Sequence, residues 1–279
     1  MKTNPRTRRD RAAFTRKDLL AVMTILLLLL VLARVLLPAW RGVRAKPIRI
    51  SCVNNQKQIA MAFRMFASDN NGRYPLQTTN HPYIYPPGRN GTAAGAVVST
   101  SAQPWQVFQS MWNELQSPMA LLCPQDTARN RAAGRVTDFK GLADAPGPMT
   151  STSLGHPDNQ NLAVSYAVQA MADESRPLGL LTLDRRINWA TATAAPTTPP
   201  ATSGSRLATT SEREARSVFW VGEPWPSSHY EKGVLSLADG SVQQADQRTL
   251  TEALLKSGTS YGWGTATSNG FGAAIFLLP

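Results

Sequence analysis

Residues 19–37, LLAVMTILLLLLVLARVLL, decide how this chain is built. As a helix with about 1.5 Å of rise per residue they span about 28 Å, close to the roughly 30 Å hydrocarbon core of a bilayer. Arg34 is the single charge and lies near the distal end, where its long side chain can snorkel to the interface. Pro38 is where the helix is expected to break or kink, and Trp40 sits where an interfacial aromatic would. A secretory signal peptide would carry a shorter apolar core and a small-residue cleavage site directly after it. Leu-Leu-Pro-Ala-Trp-Arg follows here and offers no such site, so the segment is expected to stay in the membrane as a single pass. Lys2, Arg6, Arg8, Arg9, Arg11, Arg16 and Lys17 precede the run, against Arg34, Arg41, Arg44, Lys46 and Arg49 at its end and beyond. The positive-inside rule therefore favours, by a small margin, a cytoplasmic N-terminus and a C-terminal domain outside.

Immediately before the run stands Ala13-Phe14-Thr15-Arg16-Lys17-Asp18. This resembles the processing site of type IV prepilins, in which a basic leader ends in a small residue and the mature chain starts at Phe with an acidic residue fifth. The resemblance implies cleavage after Ala13, N-methylation of Phe14, and a role for Asp18, which is fifth counting from Phe14. A carboxylate entering an apolar zone needs a positive partner, because its desolvation is expensive. In the family that partner is thought to be the N-terminal amine of a neighbouring subunit. The segment departs from the family in having Ala for the usual Gly, Arg16-Lys17 for two apolar residues, and Asp for Glu. Without the resemblance it reads as a plain signal anchor with a basic flank.

Downstream, residues 48–68 carry Cys52, Gln56, Ile59, Phe63 and Phe66 at three- and four-residue steps, the mark of one buried helix face. Asn70-Asn71-Gly72 is expected to stop that helix, since Asn and Gly tolerate the left-handed conformation. Arg73-Tyr74-Pro75 is expected to begin an extended segment. The elements Cys52-Val-Asn-Asn55, Gln58-Ile59, Asp69-Asn-Asn-Gly72 and Tyr74-Pro75 resemble a planctomycete-type group of pilin-like proteins. Leu122-Cys123-Pro124-Gln125-Asp126 resembles that group's Cys-Pro-x-Asp loop, and residues 161–168, NLAVSYAV, its Ser-Tyr strand. His229, nine residues, then Asp239-Gly240 has the spacing of the prepilin-type processing-associated H-X9-DG domain; Ser241 follows where the group often has His.

Local chemistry around Asp239-Gly240 predicts a hairpin: residues 233–238 as one strand, a type I′ turn, and residues 241–244 as the return. His229 and Asp239 admit two readings. They brace the hairpin turn, or they form half of a cation site. Residues 218–221 read as a strand and 249–256 as a short helix. Residues 88–103, 141–160 and 191–210 are rich in Gly, Ser, Thr, Ala or Pro and read as loop insertions.

The rest of the composition excludes more than it assigns. Hydrophobic content of 42% and charged content of 17% allow a packed core. The net charge of +11 invites a nucleic-acid reading, but the basic residues flank the apolar run, where an anionic membrane surface would attract them, so no nucleic-acid partner is expected. Cys52 and Cys123 form no CxxC pair. They are one disulfide if the domain lies in an oxidising compartment, or two small buried hydrophobes if it does not. His81, His156 and His229 are the only histidines; there is no zinc-ligand spacing, no phosphate-binding glycine loop and no dinucleotide fingerprint. Neither a catalytic residue nor a cofactor is expected. Some pseudopilins bind calcium near the C-terminus, which nominates Asp239, although no acidic cluster surrounds it.

The resemblance implies an α+β, pilin-like architecture: a long N-terminal helix, half in the membrane and half packed on a small antiparallel sheet with loop insertions. The expected organisation is a basic leader at 1–13, a transmembrane helix at 14–38 and an extracytoplasmic domain at 39–279. The implied function is non-enzymatic, a minor pilin or pseudopilin of a type II secretion or type IV pilus-like assembly in the inner (cytoplasmic) membrane. Its implied partners are a prepilin peptidase and N-methylase, other pilin-like subunits, and the membrane. A standalone membrane-anchored binding module is the alternative, and an anchored hydrolase a third reading.

Overall fold

The stripe read from residues 48–68 is the seam on which the domain is assembled. The computed structural model describes residues 16–78, 102–124, 126, 136–141, 147–189, 206–209, 211–221, 232–261 and 274–278, with backbone alone at 35–49, 189, 206–209, 261 and 274–275. Helix α1 spans Arg16–Asp69. The chain divides into two compact units, Met1–Pro47 and Ile48–Pro279. The helix runs through Pro38 and Pro47, so of the break or kink expected at Pro38 the break does not occur. Each proline removes one N–H from the ladder, and the turns on either side keep the helical backbone.

In the first unit the large apolar side chains between Leu19 and Leu32 are 44–69% exposed, on every side of the helix. Among the described residues no helix is long and apolar enough to cross a membrane. The apolar run itself continues into residues 35–37, whose side chains lie outside the described ones.

In the second unit Cys52, Gln56, Ile59, Phe63 and Phe66 are all buried. The helix ends where Asn71 and Gly72 take positive φ values of 57° and 74°, and the Gly72 amide donates to Ala67 O at 2.7 Å. Tyr74 has the extended backbone expected of it, with φ −76° and ψ 163°, but the extension stops there. A 3-10 turn, Pro75–Gln77, forms instead, because the Gln77 side chain accepts the Tyr74 amide at 3.1 Å. Two short helices follow, α2 (Pro104–Ser110) and α3 (Trp112–Leu115), with Phe108 edge-on to Phe63 at 6.3 Å.

Eight strands are described: β1 (Tyr166–Gln169), β2 (Leu180–Asp184), β3 (Ile187–Trp189), β4 (Arg206–Thr209), β5 (Val218–Trp220), β6 (Gly233–Leu237), β7 (Val242–Ala245) and β8 (Ala274–Leu277). Six form an antiparallel sheet in the order β4-β8-β1-β2-β6-β7, and β3 pairs with β5 separately. Strand β4 falls inside the stretch expected to be a loop at 191–210. Its pairing with β8, distant in sequence, gives Arg206–Thr209 a strand conformation that its local composition does not signal.

Period-2 alternation places one core on each face of the sheet. Tyr166, Val168, Leu181, Val234 and Leu277 face α1. Ala167, Leu183, Leu235 and Phe276 face the opposite way, with α4 (Glu212–Ser217) and α5 (Gln247–Tyr261). A register shift between Leu180 and Thr182 lets both Leu181 and Thr182 turn toward α1. The fold is thus α+β, a helix packed on an antiparallel sheet.

The hairpin predicted at Asp239-Gly240 is present as β6–β7, with a different turn. The Leu237 amide donates to Ser241 O at 2.9 Å and the Gly240 amide to Leu237 O at 3.0 Å, leaving the three-residue loop Ala238-Asp239-Gly240. Gly240 has φ +85°, and Asp239 has none of the positive φ that a type I′ turn requires. The exposed Asp239 carboxylate accepts the Ser241 amide at 2.7 Å, a local bond that holds it in the commoner conformation. A Cβ on Gly240 would meet Arg64 Cδ at 3.2 Å as well as the strained backbone. Gly240→Val should therefore cost about 1–2 kcal/mol in denaturant unfolding, with Ser241→Ala within about 0.5 kcal/mol of wild type. Equal losses from the two would remove this account of the turn.

Candidate functional site

Three segments separated in sequence meet at one corner of the second unit. Cys52 on α1 is joined by a disulfide to Cys123, with Cα atoms 5.2 Å apart. One helical turn further on, Asn55 donates its side-chain amide to Leu122 O at 2.7 Å. The spacing from Cys52 to Asn55 thus puts the disulfide and a backbone clamp on the same helix face, both gripping the Cys-Pro loop. The Ser165 amide donates to Leu121 O at 2.8 Å, and the Arg185 amide to Ser165 O at 3.1 Å, so the loop is also stitched to the sheet.

Beneath the disulfide lies a cluster of buried charge. Arg185 forks onto Asp126, Nε to Oδ2 at 2.6 Å and a terminal nitrogen to Oδ1 at 2.8 Å. Arg186 stands 4.0 Å from the same carboxylate. Burial works against the Asp126 charge, but the Arg185 fork, with Arg186 and the nearby Ser165 hydroxyl, outweighs it and holds the pKa below the ordinary value. Asp184 is the opposite case. Burial is the largest influence and pushes its pKa up to about 7, against the Val234 amide and the two arginines, with Asp126 adding repulsion. The Val234 amide donates to Asp184 Oδ2 at 2.7 Å, while Oδ1 has no hydrogen-bond partner within the protein. Tyr166 is directly across the ladder from Asp184. Burial, then the negative charge of Asp184, raises the Tyr166 phenol well above its usual pKa. The Asn55 amide opposes that rise without closing a hydrogen bond to the buried hydroxyl.

A second polar tie lies further along α1. Gln56 is fully buried; its amide donates to Val234 O at 3.2 Å and its carbonyl accepts from the Thr182 hydroxyl at 2.6 Å. Thr182 and Ser236 are also within 2.6 Å of each other. Such a satisfied network fixes the register of helix on sheet, since sliding either would bury unpaired groups. Tyr74 closes the far end by donating its hydroxyl to Ala238 O at 2.9 Å, and Arg64 reaches Asp239 O at 3.4 Å. The Tyr-Pro segment therefore packs against the Asp-Gly hairpin.

The candidate residues of the processing and H-X9-DG motifs are only partly placed. Ala13, Phe14, His81 and His229 lie outside the described residues, and Asp18 is exposed in the first turn of α1. His156 is on a surface turn, 3.7 Å from the exposed Asp158. Among the described residues no group of three His, Cys, Asp or Glu side chains could hold a metal ion. Asp239, nominated for calcium, belongs to no such group among the described residues, and its Oδ1 accepts the Ser241 amide. The Asp126–Arg185 pair and Asp184 were not among the residues singled out as a site. The available signal was Asp184-Arg185-Arg186, three charges closing an otherwise apolar strand. No family model, curated protein or solved structure matches this chain.

Proposed function

We propose that this chain is a non-enzymatic minor pilin or pseudopilin, anchored by one helix in the cytoplasmic membrane with its disulfide-bonded domain outside. The observation that carries the reading is the helix between Leu19 and Leu32, whose large apolar side chains are exposed all round. A helix that is apolar on every side needs an apolar surrounding, and a membrane supplies one. The Cys52–Cys123 disulfide fits an extracytoplasmic compartment. The packing of the later part of α1 on an antiparallel sheet fits the pilin-like architecture that the sequence segments resemble. In this reading the buried charges serve the fold, and the chain is the substrate of a prepilin peptidase rather than an enzyme.

Mass spectrometry of the mature N-terminus from native membranes tests the proposal. The expected product starts at N-methylated Phe14, cleaved after Ala13. An intact N-terminus, or one beyond residue 37, would overturn it. The alternative, a standalone anchored binding module, is favoured by one feature, an open groove of about 540 Å³ lined by Lys57, Met61, Arg64, Met65 and Glu174 among others. Cysteines placed near Asp18 separate the two readings: cross-links between copies support assembly, and their absence supports display of a single copy.

A further inference from the structure

The charged corner holds a small, partly open chamber of about 10 Å³ lined by Cys123, Asp126, Ser165, Asp184, Arg185 and Arg186. A polar space of about 10–15 Å³ is what one water molecule needs. Two of the lining side chains point to an occupant. Asp184 Oδ1 is buried with no hydrogen-bond partner within the protein; Ser165 Oγ is buried as well and closes no hydrogen bond of good geometry, although it lies near enough to the Asp126 carboxylate to favour its charge. Their residues are 5% and 2% exposed, so bulk water does not satisfy them.

We propose that this chamber is a built site for a single water molecule, which bridges Asp184 Oδ1 and Ser165 Oγ and so joins the end of β2 to the start of β1 beneath the disulfide loop. The bonding balances in either state of Asp184. A charged Oδ1 accepts from the water, which in turn accepts from the Ser165 hydroxyl; a protonated Oδ1 donates to the water, which then donates to Ser165. The surrounding charges select a neutral molecule. Asp126 from the Cys-Pro loop and Asp184 itself oppose an anion, while Arg185 and Arg186 oppose a cation. From β1 the titratable group facing Asp184 is Tyr166, and from β6 the contact is the Val234 amide.

The test is a high-resolution crystal structure of the full chain in detergent, as wild type, as Ser165→Ala, and after bromide soaking. The expected result is one water peak within hydrogen-bond distance of Asp184 Oδ1 and Ser165 Oγ. That peak should be lost or much weakened in Ser165→Ala, with the Asp126–Arg185 fork unchanged. An empty chamber, a direct Asp184–Ser165 hydrogen bond, an anomalous bromide signal, or a peak indifferent to Ser165→Ala would each overturn the proposal. If Ser165→Ala does not fold, the wild-type map and the bromide soak decide between water, ion and vacancy.

Discussion

Asp184→Asn should stabilise the protein above pH 7 and remove most of the decline in its stability between about pH 4 and pH 7. In the fold the Asp184 pKa stands at about 7, against an ordinary value of 3.8, because the carboxyl is fully buried. Between those values the folded state holds a proton that the unfolded state has released, so stability falls as pH rises. The contribution is fully present below about pH 4 and lost once the pH passes about 7. A shift of that size corresponds to roughly 4 kcal/mol. Asn cannot ionise, and its carbonyl can still accept the Val234 amide that now bonds Oδ2. Asp126 has the opposite sign. Its lowered pKa contributes stability above the ordinary carboxylate value, lost as the pH falls. Asp126→Asn should therefore weaken the protein at neutral pH, by leaving the Arg185 guanidinium buried without its counter-charge. Denaturant unfolding of the full chain at several pH values reads both effects. An Asp184→Asn protein with the wild-type slope from pH 4 to 7, or one less stable at pH 8, would show that Asp184 does not carry this buried proton.

Removal of the disulfide is expected to have an effect of similar size. Cys52 and Cys123 are 71 residues apart in sequence, and closing a loop of that length stabilises the fold by about 4 kcal/mol through the lost entropy of the unfolded chain. For a unit of this size that is a fall of roughly 10 °C in Tm for the Cys52→Ala/Cys123→Ala double variant. Both sulfurs are buried, so alanine is preferable to serine, whose hydroxyls would need partners there. The Asn55 clamp should keep the loop docked in the variant, which predicts weakened stability with the fold retained. A double variant that melts with the wild type would contradict the expectation. So would two free thiols in protein taken from outside the cytoplasm.

The face of α1 that enters the core was legible because apolar residues recur at helical steps and because Asn71 and Gly72 can take the positive φ at which the helix ends. The β6–β7 hairpin was legible for the same local reason at Gly240. What escaped depends on partners distant in sequence. Strand β4 is defined by β8, and no feature within Arg206–Thr209 announces it. The turn at Asp239 differs from type I′ because its own carboxylate binds the Ser241 amide, a choice that the dipeptide alone leaves open. The charged corner was hidden for a third reason. Asp126 and Arg185 are 59 residues apart, and only the fold brings a carboxylate to a guanidinium across that interval. The Cys, Asn and Cys-Pro segments were visible as a family resemblance, and the disulfide with its Asn55 clamp now gives their spacing a physical reason.

The position of β8 governs the order in which this domain can be completed. It is the latest of the eight strands in the chain, yet it lies between β4 and β1 in the sheet. During synthesis or export β1, β2, β6 and β7 can assemble as a four-stranded antiparallel set, leaving β1 with an open edge. Only when Ala274–Leu277 emerges can that edge be covered and β4 gain its neighbour. Until then β1, with its buried Tyr166, Ala167 and Val168, offers an unpaired apolar strand to any chain nearby. In the exported state proposed above, that edge would stay open until residue 277 has crossed.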